Sequence, residues 1–264
     1  KEEGEVWNRT KAKASAISGA RVADTPADAV NGADIIISIL SDGAAGLAVQ
    51  DQCKGALTKG QIWIDMASTK PDEARQQAAQ LTEMGVAHLD APVSGGTTGA
   101  EAATLAIMVG GDAGTFAVAT PILAALGTPV HVGPSGCGQL AKLANQGIVG
   151  ITIGAVAEAM LLLERGGADP VAVRQALKGG FADSTILQLH GPRMTDDDLA
   201  PRGRATTQLK DMNNIMAEAD ALGLTLPMSS DIRDRFARLV DDMGHDVLDH
   251  AALYLELWAC NQLS

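Results

Sequence analysis

Aromatic side chains are scarce: three Phe, three Trp and one Tyr in 264 residues. So few rings exclude a base-stacking platform or an aromatic-rich docking surface. Basic charge is also short, with 20 Lys+Arg against 32 Asp+Glu and a formal net charge of −12. Such a chain is a poor partner for nucleic acid or an anionic membrane surface, whose affinity comes from clustered Lys and Arg. A local basic pocket for an anionic small molecule is still compatible with that balance. The three cysteines, Cys53, Cys137 and Cys260, are odd in number, far apart, and form no CxxC or Cys/His zinc spacing. They read as small apolar side chains in a reducing compartment, so a cytoplasmic location is expected. His88, His131, His190, His245 and His250 show no HxH or HExxH spacing, and no bound metal is expected. The absence of a GxSxG elbow and of a Walker-type GxxxxGK(S/T) loop argues against hydrolase and P-loop chemistry. No stretch approaches the roughly 18–20 uninterrupted apolar residues of a membrane span, and the opening KEEGEVWNRT has no secretory pattern.

What is present falls into two textures. Apolar types make up 46% of the chain, enough for a sizeable core, and the length suits one large or two ordinary domains. In the first half, β-branched runs at 35–40 (IIISIL), 62–64, 107–109 and 130–132 alternate with helix-length stretches at 71–84 and 113–125. Pro71 with Asp72 and Glu73 behind it is a good helix start, since proline suits the first turn and carboxylates complement the N-terminal dipole. Strands alternating with helices predict crossover units and a largely parallel sheet. After Gly133 the strand-like runs stop. An apolar-periodic segment over 138–165, closed by Gly166-Gly167, predicts a helix about 40 Å long at 1.5 Å per residue. Asp169-Pro170 predicts a cap and first turn. Over 209–222 the spacing sets Leu209, Met212, Ile215, Met216, Ala219 and Leu222 on one face, with Gly223 as the stop. Helices over 227–243 and 249–259 complete an all-helical second half. The expected division is therefore an α/β domain over 1–133 and an all-α domain over 134–264, joined by the long helix.

Three segments could carry chemistry. In Asp90-Ala91-Pro92-Val93-Ser94-Gly95-Gly96, adjacent glycines let backbone approach a ligand, and their N–H groups with the Ser94 hydroxyl could form an anion nest. A plain glycine-rich turn is the commoner meaning of a bare SGG. On the long helix, Lys142 lies three residues before Asn145 and four before Gln146, near one face. Uncharged sequence neighbours supply Lys142 poorly with local counter-charge; if buried, its pKa falls and it becomes a proton donor or acceptor near neutral pH. The alternative is a snorkelling surface lysine with two solvated amides. After Val6-Trp7, the Asn8-Arg9-Thr10 turn has no carboxylate for a ribose 2′-hydroxyl, and an arginine there suits a 2′-phosphate. Lys210-Asp211 is read as opening the Leu209 helix as a solvated first turn, although a lysine is not the dipole-favoured residue there.

Taken in order, these blocks resemble the β-hydroxyacid dehydrogenase family, which includes 3-hydroxyisobutyrate dehydrogenases, tartronate semialdehyde (2-hydroxy-3-oxopropionate) reductases and 6-phosphogluconate dehydrogenases. The resemblance runs through WNRT (7–10), IIISILSD (35–42), DMASTKP (65–71), DAPVSGG with GA (90–100), MVGGD (108–112), GQLAKLANQ (138–146), GGFADS (179–184), QLKDMNN (208–214) and GHDVLDHAAL (244–253). It implies a Rossmann-type NAD(P)-binding domain followed by an all-α domain, in homodimers or homotetramers. The implied activity is reversible hydride transfer between NADP or NAD, NADP preferred, and a short β-hydroxyacid. Under it Lys142 is the acid/base, and Ser94, Gly95 and Gly96 hold the substrate carboxylate. Asn145 positions the substrate beside Gln146, which stands where relatives carry a second Asn. Asn8, Arg9 and Thr10 meet the cofactor ribose, Leu40 and Ser41 flank the nicotinamide ribose, and Lys210 closes over the cofactor. Ser41 replaces a usual Pro, and Ala67 replaces a usual Ser or Thr beside the cofactor.

The family opens with a G-x-G-x-x-G fingerprint some way before WNRT, whereas here Lys1 is only nine residues before Thr10. The first strand, the pyrophosphate turn and most of the first helix of the pattern are missing. The sequence reads as incomplete, and the polypeptide as written is expected to bind cofactor poorly. Lys142 separates the chain from imine reductases, which place another residue there. The Asn145-Gln146 pair and GGFADS look most like the tartronate semialdehyde reductases. A 3-hydroxyisobutyrate dehydrogenase is the alternative, and a non-catalytic dehydrogenase-like interaction module is a further one.

Overall fold

Capping side chains fix where many of the helices begin. Thr25 and Asp28 close a reciprocal capping box ahead of α2 (Pro26–Val30), Asp42 accepts the Ala45 N–H ahead of α3 (Gly43–Cys53), and Asp112 accepts that of Thr115 ahead of α6 (Ala113–Ala124). α4 (Pro71–Glu83) starts at the expected proline, with Glu73 reaching back to the Lys70 N–H at 2.8 Å. Between these helices run β3 (Ile35–Ser38), β4 (Ile62–Asp65) and β5 (Ala87–Asp90), parallel and in consecutive register. These elements belong to a computed structural model that describes residues 4–263.

The rest of the sheet is not all parallel. β7 (Leu105–Gly111) runs against both β5 and the short β6 (Val93–Ser94), then pairs in parallel with β8 (Gly127–Gly133). The reversal follows from the connection: only β6 and the short α5 (Gly96–Glu101) separate β5 from β7, too little for a full crossover. Ahead of these elements, β1 (Gly4–Val6) and β2 (Ala20–Val22), joined through α1 (Lys11–Ser15), form a two-stranded parallel sheet of their own. The apolar core lies on both faces of the larger sheet. Ile64, Leu89, Ile107, Val109 and Leu123 pack in one cluster, and Val30, Ile36, Cys53, Trp63 and Leu81 in the other.

The second unit is helical, as expected. It contains most of α7 (Cys137–Gly166), then α8 (Pro170–Leu177), α9 (Thr185–Thr195), α10 (Ala205–Ala221), α11 (Pro227–Ala237) and α12 (Leu253–Cys260). Asp169 caps α8 through the Val171 N–H at 2.9 Å. The compact units divide inside α7, one ending at Lys142 and the other beginning at Leu143, rather than at residue 133. The first turn of α7 is bonded to Asp90 of β5, which keeps it with the sheet. By length and composition α7 is apolar enough to cross a bilayer, against the expectation that no segment comes near. Its Ile153, Val156, Ala157 and Met160 instead build the core of the second unit with Met212, Phe236 and Leu253. Gly150 and Gly154 let α10 and α11 approach closely: a Cβ at Gly154 would strike Ile232.

Four local expectations need correction. Leu222 is exposed, because α10 ends at Ala221 and Gly223 turns the chain at φ +67°. The helix expected over 227–243 changes to π geometry at Arg238–Asp242, and the segment expected to start at Asp249 opens as a 3₁₀ turn, His250–Ala252. Cys260 is exposed rather than a core residue, its Sγ on Glu256 at 3.0 Å.

Candidate active site

The three parallel strands that run inward from the β3 edge of the sheet end on a polar row. Register places Ser38, Asp65 and Asp90 side by side at the C-terminal ends of β3, β4 and β5, the edge at which open α/β sheets form ligand crevices. All three are buried. Ser38 Oγ donates to Asp65 Oδ1 at 2.9 Å and accepts from Trp63 Nε1 at 2.9 Å. Burial pushes the Asp65 carboxyl up to about 6; bonds from Ser38 and the Ala67 N–H pull the other way, and the Asp90 charge adds to the rise. Burial also raises Asp90, although its oxygens accept the N–H groups of Gly136 and Gln139 at 2.8 and 2.9 Å. Carboxylates shifted in this way mark functional sites more often than plain surface.

Helix α7 carries Lys142, Asn145 and Gln146, near one face by their spacing. Lys142 is half-buried. In the second unit, Asn145 Nδ2 donates to Gln146 Oε1 at 2.8 Å, and Gln146 Nε2 donates to Asp211 Oδ2 at 2.7 Å. The other Asp211 oxygen is 3.2 Å from Lys210 Nζ. Asp211 therefore gathers three of the expected site residues, Asn145, Gln146 and Lys210. Sequence reasoning gave it no role of its own; its one signal was its place beside Lys210 in QLKDMNN. Lys210 lies in the second turn of α10 rather than opening the helix, because α10 starts at Ala205, behind an antiparallel bridge from Arg204 to Asp249.

Ser94 sits half-buried on β6, opposite Ala106 of β7. Gly95 and Gly96 follow at φ +137° and +62°, backbone that a side chain would strain. A Cβ on Gly95 would also press on Leu105 at 3.2 Å. The turn thus presents exposed backbone beside a hydroxyl, which is what capture of a carboxylate asks for.

Two of the expected cofactor residues, Asn8 and Leu40, line one cavity of about 640 Å³ together with Trp7, Val6 and Ile35. Glu5 lines it too, its charge met by Arg21 at 2.6 Å. Asn8 Oδ1 accepts the Thr10 N–H at 2.9 Å, a turn that leaves Arg9 exposed at its tip. Ser41 is exposed and donates to Asp42 at 2.9 Å, while Ala67 is buried two residues after β4. An exposed arginine with no carboxylate in its turn has the charge that a ribose 2′-phosphate asks for.

Among the described residues, His190, Asp249 and His250 form a group with metal-ligand types that no sequence spacing revealed. Asp249 already accepts the N–H groups of Gly203, Ala251 and Arg202 at 2.9, 3.0 and 3.1 Å. Arg193 Nη1 stands 3.5 Å from the Asp249 carboxylate and 3.4 Å from His190 Nδ1. The guanidinium supplies the positive charge there, and the group ties α9 to the segment ahead of α10.

Comparison with known proteins extends this geometry. A family model described as the NAD binding domain of 6-phosphogluconate dehydrogenase matches residues 3–136, and one described as NAD-binding of NADP-dependent 3-hydroxyisobutyrate dehydrogenase matches 136–257. The chain is 41% identical over 252 residues to 2-hydroxy-3-oxopropionate reductase of Escherichia coli, covering 93% of this chain and 86% of that one. It is 34% identical over 224 residues to the NAD-dependent L-serine dehydrogenase of Pseudomonas aeruginosa, covering 81% and 75%. Among solved structures, Mycobacterium tuberculosis 3-hydroxyisobutyrate dehydrogenase with L-serine superposes with a TM-score of 0.87 at 29% identity, covering 95% and 89%. Both halves of the chain thus match the same kind of protein, in the same order: it belongs to the β-hydroxyacid dehydrogenase family of NAD(P)-dependent oxidoreductases.

Proposed function

We propose that this enzyme reduces a short semialdehyde acid, 2-hydroxy-3-oxopropionate first among them, with NADPH preferred to NADH. The observation that carries the reading is the half-buried Lys142 with Asn145 and Gln146 one turn further along α7. The nicotinamide, when bound, supplies the hydride. Lys142 Nζ gives its proton to the substrate carbonyl oxygen, so that negative charge does not build up there. The Ser94 hydroxyl and the backbone of Gly95 and Gly96 hold the substrate carboxylate. Asn145 orients the substrate and is itself held by Gln146, which Asp211 anchors. Arg9 meets the 2′-phosphate, with Asn8 and Thr10 setting its turn, and Leu40, Ser41, Ala67 and Lys210 serve the rest of the dinucleotide.

The 41% identity to the E. coli reductase supports the first substrate. Likeness to the mycobacterial 3-hydroxyisobutyrate dehydrogenase supports the alternative. The two substrates differ by a hydroxyl, which a pocket built to bond it distinguishes strongly and an apolar pocket by only about 100-fold. A panel of 2-hydroxy-3-oxopropionate and methylmalonate semialdehyde with each cofactor tests the reading. The highest kcat/KM is expected for the hydroxylated substrate with NADPH, and Arg9→Ala should raise KM for NADPH more than for NADH. Preference for the methyl compound would establish the alternative, and equal effects of Arg9→Ala on both cofactors would remove the 2′-phosphate contact.

We also infer a homodimer or homotetramer. α7 exposes Ile148, Ala155 and Leu162 at intervals of seven residues, a stripe on one side of the helix. Light scattering at micromolar concentration should give two or four times the chain mass; a monomer would refute this.

A further inference from the structure

Gln139 is wholly buried on the first turn of α7, one turn before Lys142. Its side-chain amide spans the backbone on either side of Ser68. Oε1 accepts the Thr69 N–H at 2.9 Å, and Nε2 donates to the Ala67 carbonyl at 2.7 Å. Its own N–H donates to Asp90 Oδ2 at 2.9 Å, while the Gly136 N–H takes Oδ1 at 2.8 Å. A carboxylate on the N–H groups of a long helix's first turn is favourably placed. The fit is close enough to need glycine on both sides. A Cβ at Gly138 would strike the Asp90 and Met108 carbonyls, and one at Gly110 would lie 2.7 Å from the Gly138 nitrogen. This turn of α7 is therefore locked by Asp90 from β5 and by residues 67–69 after β4.

We propose that Gln139 is a positioning residue for the acid/base lysine, linking residues 67–69, beside which the cofactor is expected, to the helical turn that presents Lys142. The inference rests on the reading of Lys142 as proton donor. A residue whose side chain makes two hydrogen bonds to one backbone segment and whose main-chain N–H donates a third to a buried carboxylate fixes both the rotation and the depth of the helix start. Lys142 leaves the helix on the same side three residues later, so its Nζ inherits that placement. Misplacing a reacting group by about 1 Å can cost 100-fold in rate.

The test is a double-mutant cycle of Gln139→Met with Lys142→Ala in the full chain, with kcat and both KM values measured. Methionine keeps the length and fills the space but offers neither hydrogen bond. Gln139→Met alone should lower kcat roughly 10–100-fold, with both KM values within about twofold. In the Lys142→Ala background the same change should alter kcat less than about twofold, because the group being positioned is gone. An equal loss in both backgrounds would show a merely structural role and overturn the proposal, as would an unchanged kcat in the single variant. Should Gln139→Met not fold, Gln139→Asn, one methylene short, provides the same cycle. If Lys142→Ala itself keeps full turnover, the acid/base reading fails; if it loses turnover and Gln139→Met does not, only the positioning role fails.

Discussion

Lys142→Ala is expected to lower kcat about 100- to 10,000-fold, the range general acid catalysis by one side chain contributes, while the fold survives. The fold should survive because Lys142 is half-buried on α7, whereas the turn is held by Gln139 and Asp90. KM for the cofactor should stay near the wild-type value, since the loss is felt where charge develops on the substrate oxygen. Lys142→Arg separates charge from proton donation: a guanidinium stays protonated throughout and gives up no proton near neutral pH. It should be nearly as slow as the alanine variant. An arginine variant with wild-type turnover would show that a fixed positive charge suffices.

The second large effect concerns stability. Burial raises the Asp65 carboxyl to about 6 from 3.8. A carboxyl raised by folding binds its proton more tightly in the native than in the unfolded chain, so the native state loses stability as pH climbs from about 4 to about 6 and stays lower above that. At 1.36 kcal/mol per pKa unit the loss is on the order of 3 kcal/mol. Asp65→Asn, neutral at every pH, should therefore be more stable than wild type at pH 7.5 by a similar amount and match it near pH 4. The Asn oxygen can still accept from Ser38 Oγ and the Ala67 N–H. Urea unfolding at the two pH values measures the difference, and a variant equally or less stable at pH 7.5 would contradict it.

Local signals made much of this legible in the sequence. The long helix was readable from apolar spacing and the Gly166-Gly167 stop, and it runs Cys137–Gly166. Lys142, Asn145 and Gln146 could be grouped because three and four residues is helical spacing, and the glycines after Ser94 do take positive φ. What stayed hidden depends on pairing between distant segments. Ser38, Asp65 and Asp90 become neighbours only through strand register, which no local pattern specifies. The same holds for Asp211 as the anchor of Gln146, and for His190 with Asp249 and His250. The reversal of β7 depends on how little chain separates it from β5. Leu222 fitted the apolar face by periodicity, but the helix ended before that position could be buried.

Chemical rescue of Lys142→Ala tests the central claim most directly. Primary amines of graded pKa are added to the alanine variant with saturating NADPH and 2-hydroxy-3-oxopropionate, and the rate of NADPH oxidation is followed. If Lys142 hands its proton to the carbonyl oxygen, turnover rises with amine concentration, and the gain tracks the acidity of the ammonium form among amines of equal size. A variant that binds both substrates yet gains nothing from any amine, or that needs none, would contradict the account.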